Sequence, residues 1–125
     1  MKICRTIVFI LLQFISLLGF TQNQQLKFQR IEIRDGLSDP NVLCMIQDSR
    51  GFMWVGTRNG LNRYDGHQFR AYFHNTADSG SLSNSYIQDI IEDSKGNIWI
   101  GTSGGGINKF NRQTNSFQQY LNQPR

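Results

Sequence analysis

Cysteine, histidine, long apolar runs and clustered positive charge are all scarce in this chain. Its 125 residues include two cysteines, Cys4 and Cys44, and two histidines, His67 and His74. Cys4 belongs to an N-terminal segment of different character from the rest, which leaves Cys44 without an intrachain partner and excludes a disulfide framework. Cys44 lies between Val42 and Ile46 in an apolar strand pattern and reads as a small core residue rather than a reactive thiol. The longest mostly apolar stretch, Ile7 to Phe20, covers fourteen residues. A membrane-spanning helix needs ~20. No cluster of lysine and arginine is present, which removes the footprint of a nucleic-acid-binding protein. No segment of useful length carries a helical period.

What the N-terminus does have is order. Lys2 and Arg5 precede the apolar stretch, Gly19 and Thr21 are small, and Gln22-Asn23-Gln24-Gln25 is polar. That succession reads as a secretory signal peptide over residues 1–21, with cleavage expected after Thr21 and a permanent anchor as the alternative. Loss of Lys2 and Arg5 takes the 13 basic residues to 11 against 9 acidic ones, a net charge of about +2. The mature chain is then expected in the periplasm or elsewhere outside the cytoplasmic membrane.

The dominant feature is repetition. Asp48-Ser49-Arg50-Gly51-Phe52-Met53-Trp54-Val55-Gly56-Thr57 returns as Asp93-Ser94-Lys95-Gly96-Asn97-Ile98-Trp99-Ile100-Gly101-Thr102, 45 residues later. Leu37-Ser38 returns as Leu82-Ser83, and Ile46 as Ile91. Past Thr102 the offset grows, by one residue in the Gly104-Gly105-Gly106 turn and by two in the Arg112-Gln113-Thr114-Asn115 turn. Turns tolerate insertions and strands do not, so the growth marks where the turns are. A period of this length is the signature of a propeller blade or another stacked array.

One unit reads as four short strands. Asn41 to Gln47 is nearly continuous in apolar character, which suits a strand covered on both faces. Asp48-Ser49-Arg50-Gly51 is a turn, Phe52 to Gly56 a second strand, and Arg58-Asn59-Gly60 another turn. Leu61 to Tyr64 and His67 to Phe73 follow, joined by Asp65-Gly66, a strong hairpin signal. The expected organisation is all-β: a signal peptide over 1–21, an outer strand and loop over 22–40, and blade repeats over 41–73 and 85–121. A loop over 74–84 joins the blades, and a tail covers 122–125. Within 22–40, Lys27 to Ile33 spaces Phe28 and Ile31 like Phe69 and Tyr72, and is expected to be the outer strand of a blade otherwise missing.

The repeated residues take structural readings. Asp48, Gly51, Trp54, Gly56 and Thr57 match Asp93, Gly96, Trp99, Gly101 and Thr102. A binding site usually breaks a repeat, whereas a core element obeys it. Gly56 and Gly101 suit a close approach of neighbouring backbones, and Trp54 and Trp99 should wedge between blades.

With its Asp35-Gly36-Leu37-Ser38 lead-in, its Gly51-Phe52-Met53-Trp54-Val55-Gly56-Thr57 core and its Gly60-Leu61-Asn62-Arg63-Tyr64-Asp65-Gly66 close, the repeat resembles the two-component regulator propeller repeat. The resemblance covers residues 26–121, and the second copy departs at Gly106-Ile107-Asn108-Lys109-Phe110-Asn111. It implies the extracytoplasmic sensor of a hybrid two-component regulator, in which a β-sandwich, a membrane span and a histidine kinase core follow the propeller. It further implies an oligosaccharide ligand, with the remaining blades or a second sensor chain as protein partners. No cofactor or metal is called for, and the chain would be a truncated reading frame or a fragment of the sensor.

Two other classes compete. Sialidase propellers carry an Asp-box, but the steps from Asp48 to Gly51 and to Trp54 are each one residue longer than that motif's. A glycosidase also needs paired acids on one substrate, and Asp48 and Asp93 occupy equivalent turns of different units. The chain is therefore expected not to be an enzyme. A structural or protein-interaction module is the remaining alternative, because two units leave faces bare and should make the chain marginally stable or self-associating. Candidate ligand contacts are Arg58, Asn59, Asn75, Asp78 and Ser103. They come from turns, differ between the repeats, and are assigned to one end of the blades, opposite the Asp48 and Asp93 turns. Ordinary solvated loops are the competing account of each.

Overall fold

The computed structural model describes residues 2–4, 7 and 25–121. The expected cleavage point after Thr21 and the tail at 122–125 lie outside the described residues, as does most of the 1–21 segment, of which residues 2–4 and 7 are helical and exposed. Among the described residues no helix is long and apolar enough to cross a membrane.

Eight strands form two four-stranded antiparallel sheets. The first blade holds β1 (Val42–Gln47), β2 (Met53–Thr57), β3 (Gly60–Tyr64) and β4 (Phe69–Tyr72). The second holds β5 (Ile87–Glu92), β6 (Ile98–Thr102), β7 (Gly106–Asn111) and β8 (Ser116–Tyr120). Strand order follows chain order in both, so each blade is a meander joined by tight turns. Gly51, Gly60, Gly66, Gly96 and Gly106 take the positive φ that those turns require. The pairing of β1 with β2 slips between Val42 and Cys44, and that of β5 with β6 between Ile87 and Asp89. The repeat thus extends to its irregularities, since a bulge sharpens the local twist at the same place in each blade.

The core lies between the two sheets. Trp54, Leu61 and Tyr72 of the first blade pack with Leu82, Ile87, Ile90, Ile98, Ile100, Phe110 and Phe117 of the second. Trp54 is fully buried and meets Phe110 edge-on at 4.9 Å between ring centroids. Tyr72 lies 5.3 Å from Phe117 and 5.7 Å from Phe110. Alternation explains the selection, because Ile98 and Ile100 point to the first blade while Trp99 and Gly101 point away from it. Tyr72, in the outermost strand of its blade, is a buried element of the seam.

Three expectations change. β1 is not covered on both faces: Val42 and Met45 are 43% and 58% exposed. Its outer face turns away from the second blade. Residues 25–32 form no strand, and Ile33–Asp35 make a 3-10 turn ending at Gly36 with φ 105°. A strand needs a neighbour to accept its hydrogen bonds, and among the described residues no strand pairs with this segment. At Gly56 the close approach comes from side chains rather than backbone. A Cβ there would lie 2.5 Å from Cys44 Sγ and 2.6 Å from Ile87 Cγ2. At Gly101 the nearest atom outside its chain neighbours would be 3.9 Å away.

Candidate functional site

Each blade is built around one aspartate turn. Asp48 Oδ1 accepts the backbone N–H groups of Arg50 and Phe52, both at 3.0 Å, and its Oδ2 accepts Trp54 Nε1–H at 2.9 Å. Asp93 Oδ1 accepts the N–H groups of Lys95 and Asn97 at 2.9 Å, and its Oδ2 accepts Trp99 Nε1–H at 2.9 Å. The spacing follows from this geometry. Gly51 and Gly96 close the turn, and six residues place the indole back over the carboxylate that opened it. Trp99 Nε1–H, the Asn97 amide and backbone N–H groups hold the Asp93 carboxyl well below the usual carboxylate range. For Asp48, burial opposes ionisation. Trp54, the Phe52 N–H and Arg112 outweigh it, so its pKa is also lowered.

A second repeated network closes the other end. Asn62 Oδ1 accepts the Ser38 N–H at 2.9 Å and its Nδ2 donates to Ser38 Oγ and to the Val55 carbonyl. Thr57 Oγ1 donates to the Gly60 carbonyl and lies 3.1 Å from Ser38 Oγ. Asn108, Ser83 and Thr102 repeat the arrangement, with the Ser83 N–H on Asn108 Oδ1 at 2.9 Å. The half-buried Ser38 and Ser83 and their buried partners tie the segment entering each blade to its centre. No side-chain polar atom buried among the described residues lacks a hydrogen-bond partner. Asp48, Trp54, Thr57 and their counterparts are therefore engaged within the fold.

Arg112 is the residue that sequence reading missed. It crosses from the second blade and donates from Nη2 to Asp48 Oδ2 at 3.0 Å and to the Gly96 carbonyl at 3.3 Å, with Glu92 Oε1 at 3.9 Å. Glu92 also accepts from Ser49 N and Oγ, at 2.8 and 2.6 Å. The two aspartate turns are thus bridged across the seam. The signal was present as the two extra residues of the 112–115 turn, which were read as a tolerated insertion.

The five candidate contacts separate into two groups. Arg58 and Asn59 form the β2–β3 turn, and Ser103 opens the β6–β7 turn. Ser85 and Tyr86 lie between these turns, accepting Gly60 N–H at 2.7 Å and Ser103 N–H at 3.0 Å. These three residues therefore share one rim, with Arg58 and Asn59 exposed and Ser103 half-buried. Asn75 and Asp78 do not join them. Their loop runs along the outer strand β8, where Phe117 N–H bonds the Gly80 carbonyl at 2.7 Å and Gln119 Nε2 bonds the Ser81 carbonyl at 2.8 Å. The Asn75 and Asp78 side chains accept the N–H groups of Ala77 and Gly80 and so shape the loop. His74 begins this path, with Nδ1 2.7 Å from the Leu82 carbonyl oxygen.

Among the described residues, no group of three or more histidine, cysteine or acidic side chains could hold a metal ion. Cys44 is half-buried, and burial together with the Asp89 charge pushes its thiol pKa up, away from the reactive thiolate.

The family model described as two component regulator propeller matches residues 36–59 and 81–104. Each match takes in the Leu-Ser lead-in, the aspartate turn and the Trp-x-Gly-Thr strand of one blade. Both blades are thus similar to the two-component regulator propeller repeat. The curated relative Histidine kinase P4 of Formosa agariphila is 45% identical over 74 residues, 59% of this chain and 5% of its own length. The extracellular domain of BT3049 of B. thetaiotaomicron, named as a hybrid two component system, superposes with a TM-score of 0.69 at 35% identity. That match covers 77% of this chain and 14% of the other. The extracellular domain of BT4673 from the same organism gives 0.61 at 33% identity, covering 75% and 13%. The chain thus spans a small fraction of each of these proteins, and its two blades resemble part of those extracellular domains.

Proposed function

We propose that this chain supplies two blades of the extracytoplasmic ligand-sensing propeller of a two-component system, and that the ligand is a carbohydrate read out by a histidine kinase. The observation that carries the reading is the division of labour within each blade. The central bonds of the aspartate turn and of the Ser-Thr-Asn network recur in both blades, whereas the rim turns differ, Arg58-Asn59 in one blade and Ser103-Gly104-Gly105 in the next. A constant scaffold with variable rim loops is the arrangement that specific recognition requires. Amide, hydroxyl and guanidinium groups on that rim match sugar hydroxyls, which need donors and acceptors together.

The likeness to extracellular domains of two-component systems supports a location outside the cytoplasmic membrane and a role without chemistry of its own. The aspartates that an enzyme reading would recruit are occupied by Trp54, Trp99 and backbone N–H groups. The test is a glycan-binding screen on the full-length sensor containing these blades, with hydrolysis products assayed in the same samples. Binding without turnover, weakened by Arg58→Ala with Asn59→Ala, is the expected result. Sugar release would move the protein to the enzyme class, and unchanged affinity would move recognition off this rim.

A further inference from the structure

The seam between the blades is one complete joint, and the chain also carries the two halves of a second. In the complete joint the first blade receives and the second presents. Ile87 fills the hollow over Gly56, where a Cβ would lie 2.6 Å from Ile87 Cγ2. Phe110 meets Trp54 at 4.9 Å, and Glu92 accepts both donors of Ser49. The receiving half recurs on the far side of the second blade as Gly101, Trp99 and Ser94. There a hollow of about 310 Å³ lies among Asp89, Ile91, Trp99, Gly101 and Ile107. Ile91 and Ile107, on this face, are 55% and 51% exposed. The presenting half recurs on the far side of the first blade. At the repeat positions of Ile87, Phe110 and Glu92 stand Val42, Tyr64 and Gln47, an aliphatic, an aromatic and a hydrogen-bonding side chain of matching kind.

We propose that a second copy of this chain covers the bare face of the second blade with the outer face of its own first blade, head to tail. Val42 of that copy enters the hollow at Gly101, Tyr64 meets Trp99, and Gln47 reaches the Ser94 turn. The occupant follows from continuity with the existing seam, since the same repeat positions build both joints. It does not depend on the sensor reading or on any ligand. The contact is heterologous, so each added copy leaves one receiving and one presenting face, and growth ends only if the rotation closes a ring. This joint is weaker than the internal one. The Asp65–Gln68 turn of the first blade is shorter than its counterpart and has no arginine to match Arg112, whereas Asp93 is already satisfied by its own turn.

Light scattering on the purified chain tests this, together with two variants that each block one face. Gly101→Val fills the hollow, and the chain itself leaves room for the side chain. Val42→Asp puts a charge on the presenting side. The parent is expected to exceed one protomer mass increasingly with concentration, and each variant alone to associate at least about tenfold more weakly, the effect of losing one central contact. An equimolar mixture should then form a dimer and nothing larger, because each variant retains the face the other lacks. Ile107→Lys with Met45→Glu gives an independent pair at exposed positions. A parent that stays monomeric, variants that associate like the parent, or mixtures that never pair would each overturn the proposal.

Discussion

Gly56 and Gly101 stand at the same place in their blades and differ in what faces them. A methyl group at Gly56 would collide with Cys44 and Ile87, whereas at Gly101 it meets only ordinary contacts. Gly56→Ala is therefore expected to lower stability by about 1–3 kcal/mol, the usual cost of overpacking a filled site. Gly101→Ala should leave it within about 0.5 kcal/mol, as surface substitutions do. Urea midpoints of the two variants check this, and equal losses would mean that the seam does not distinguish them. The aspartates give a second prediction at this scale. Both folded carboxyls titrate below their unfolded value of about 3.9. Groups of this kind contribute stability that is present above the unfolded pKa and is lost as pH falls through the lower folded one. Stability should hold from neutrality to about pH 5 and decline below about pH 4. Asp48→Asn should lower stability at neutral pH and flatten that decline. A variant that keeps the parent's acid slope would show that other groups control it.

At the scale of elements, the second blade is fastened to the first by one arginine as well as by the ring cluster. Arg112 is 17% exposed and Asp48 fully buried, so their pair is shielded from the solvent that weakens surface bridges. Asp48 keeps Trp54 and two backbone donors when Arg112 is removed. The loss thus falls short of the 3–5 kcal/mol of a fully orphaned charge, and Arg112→Ala is expected to cost about 2 kcal/mol. Thermal unfolding of that variant measures it, and a loss indistinguishable from zero would make the bridge incidental. This element also shows what sequence can carry. Both meanders, their turns and the Asp–Trp spacing were legible, because each is a local consequence of hydrogen bonds within a few residues. Arg112 was not, since its partners lie across a seam that no local pattern encodes. The same reason accounts for Lys27 to Ile33, where an apolar period promised a strand but no described strand pairs with it. It accounts for Asn75 and Asp78 as well, whose loop is drawn along β8 by contacts with Phe117 and Gln119. Of the candidate rim, the part set by hairpin geometry at Arg58, Asn59 and Ser103 was readable. The part set by the path of a long loop was not.

At the scale of the described residues as a whole, the two blades meet at one seam, and the face of each that turns away from it carries exposed apolar side chains. The bare faces carry Met45 and Val42 on one side, Ile91 and Ile107 on the other. Repeat arrays normally need at least about three units, because every interface removed costs the stabilisation of a covered face while the entropy of ordering the unit remains. The single internal seam is rich, with Trp54, Leu82, Ile87, Ile98 and Ile100 fully buried, which is why a two-blade stack holds a defined core. Its stability should nevertheless depend on what covers the ends. Mass action makes the midpoint of an associating protein rise with its concentration, and a monomer's does not. The unfolding midpoint of the purified chain is expected to climb over a hundredfold range of concentration, and Gly101→Val should remove that climb while leaving the dilute midpoint unchanged. A high midpoint independent of concentration would mean that one seam suffices, and that the bare faces contribute nothing to the stability of the folded chain.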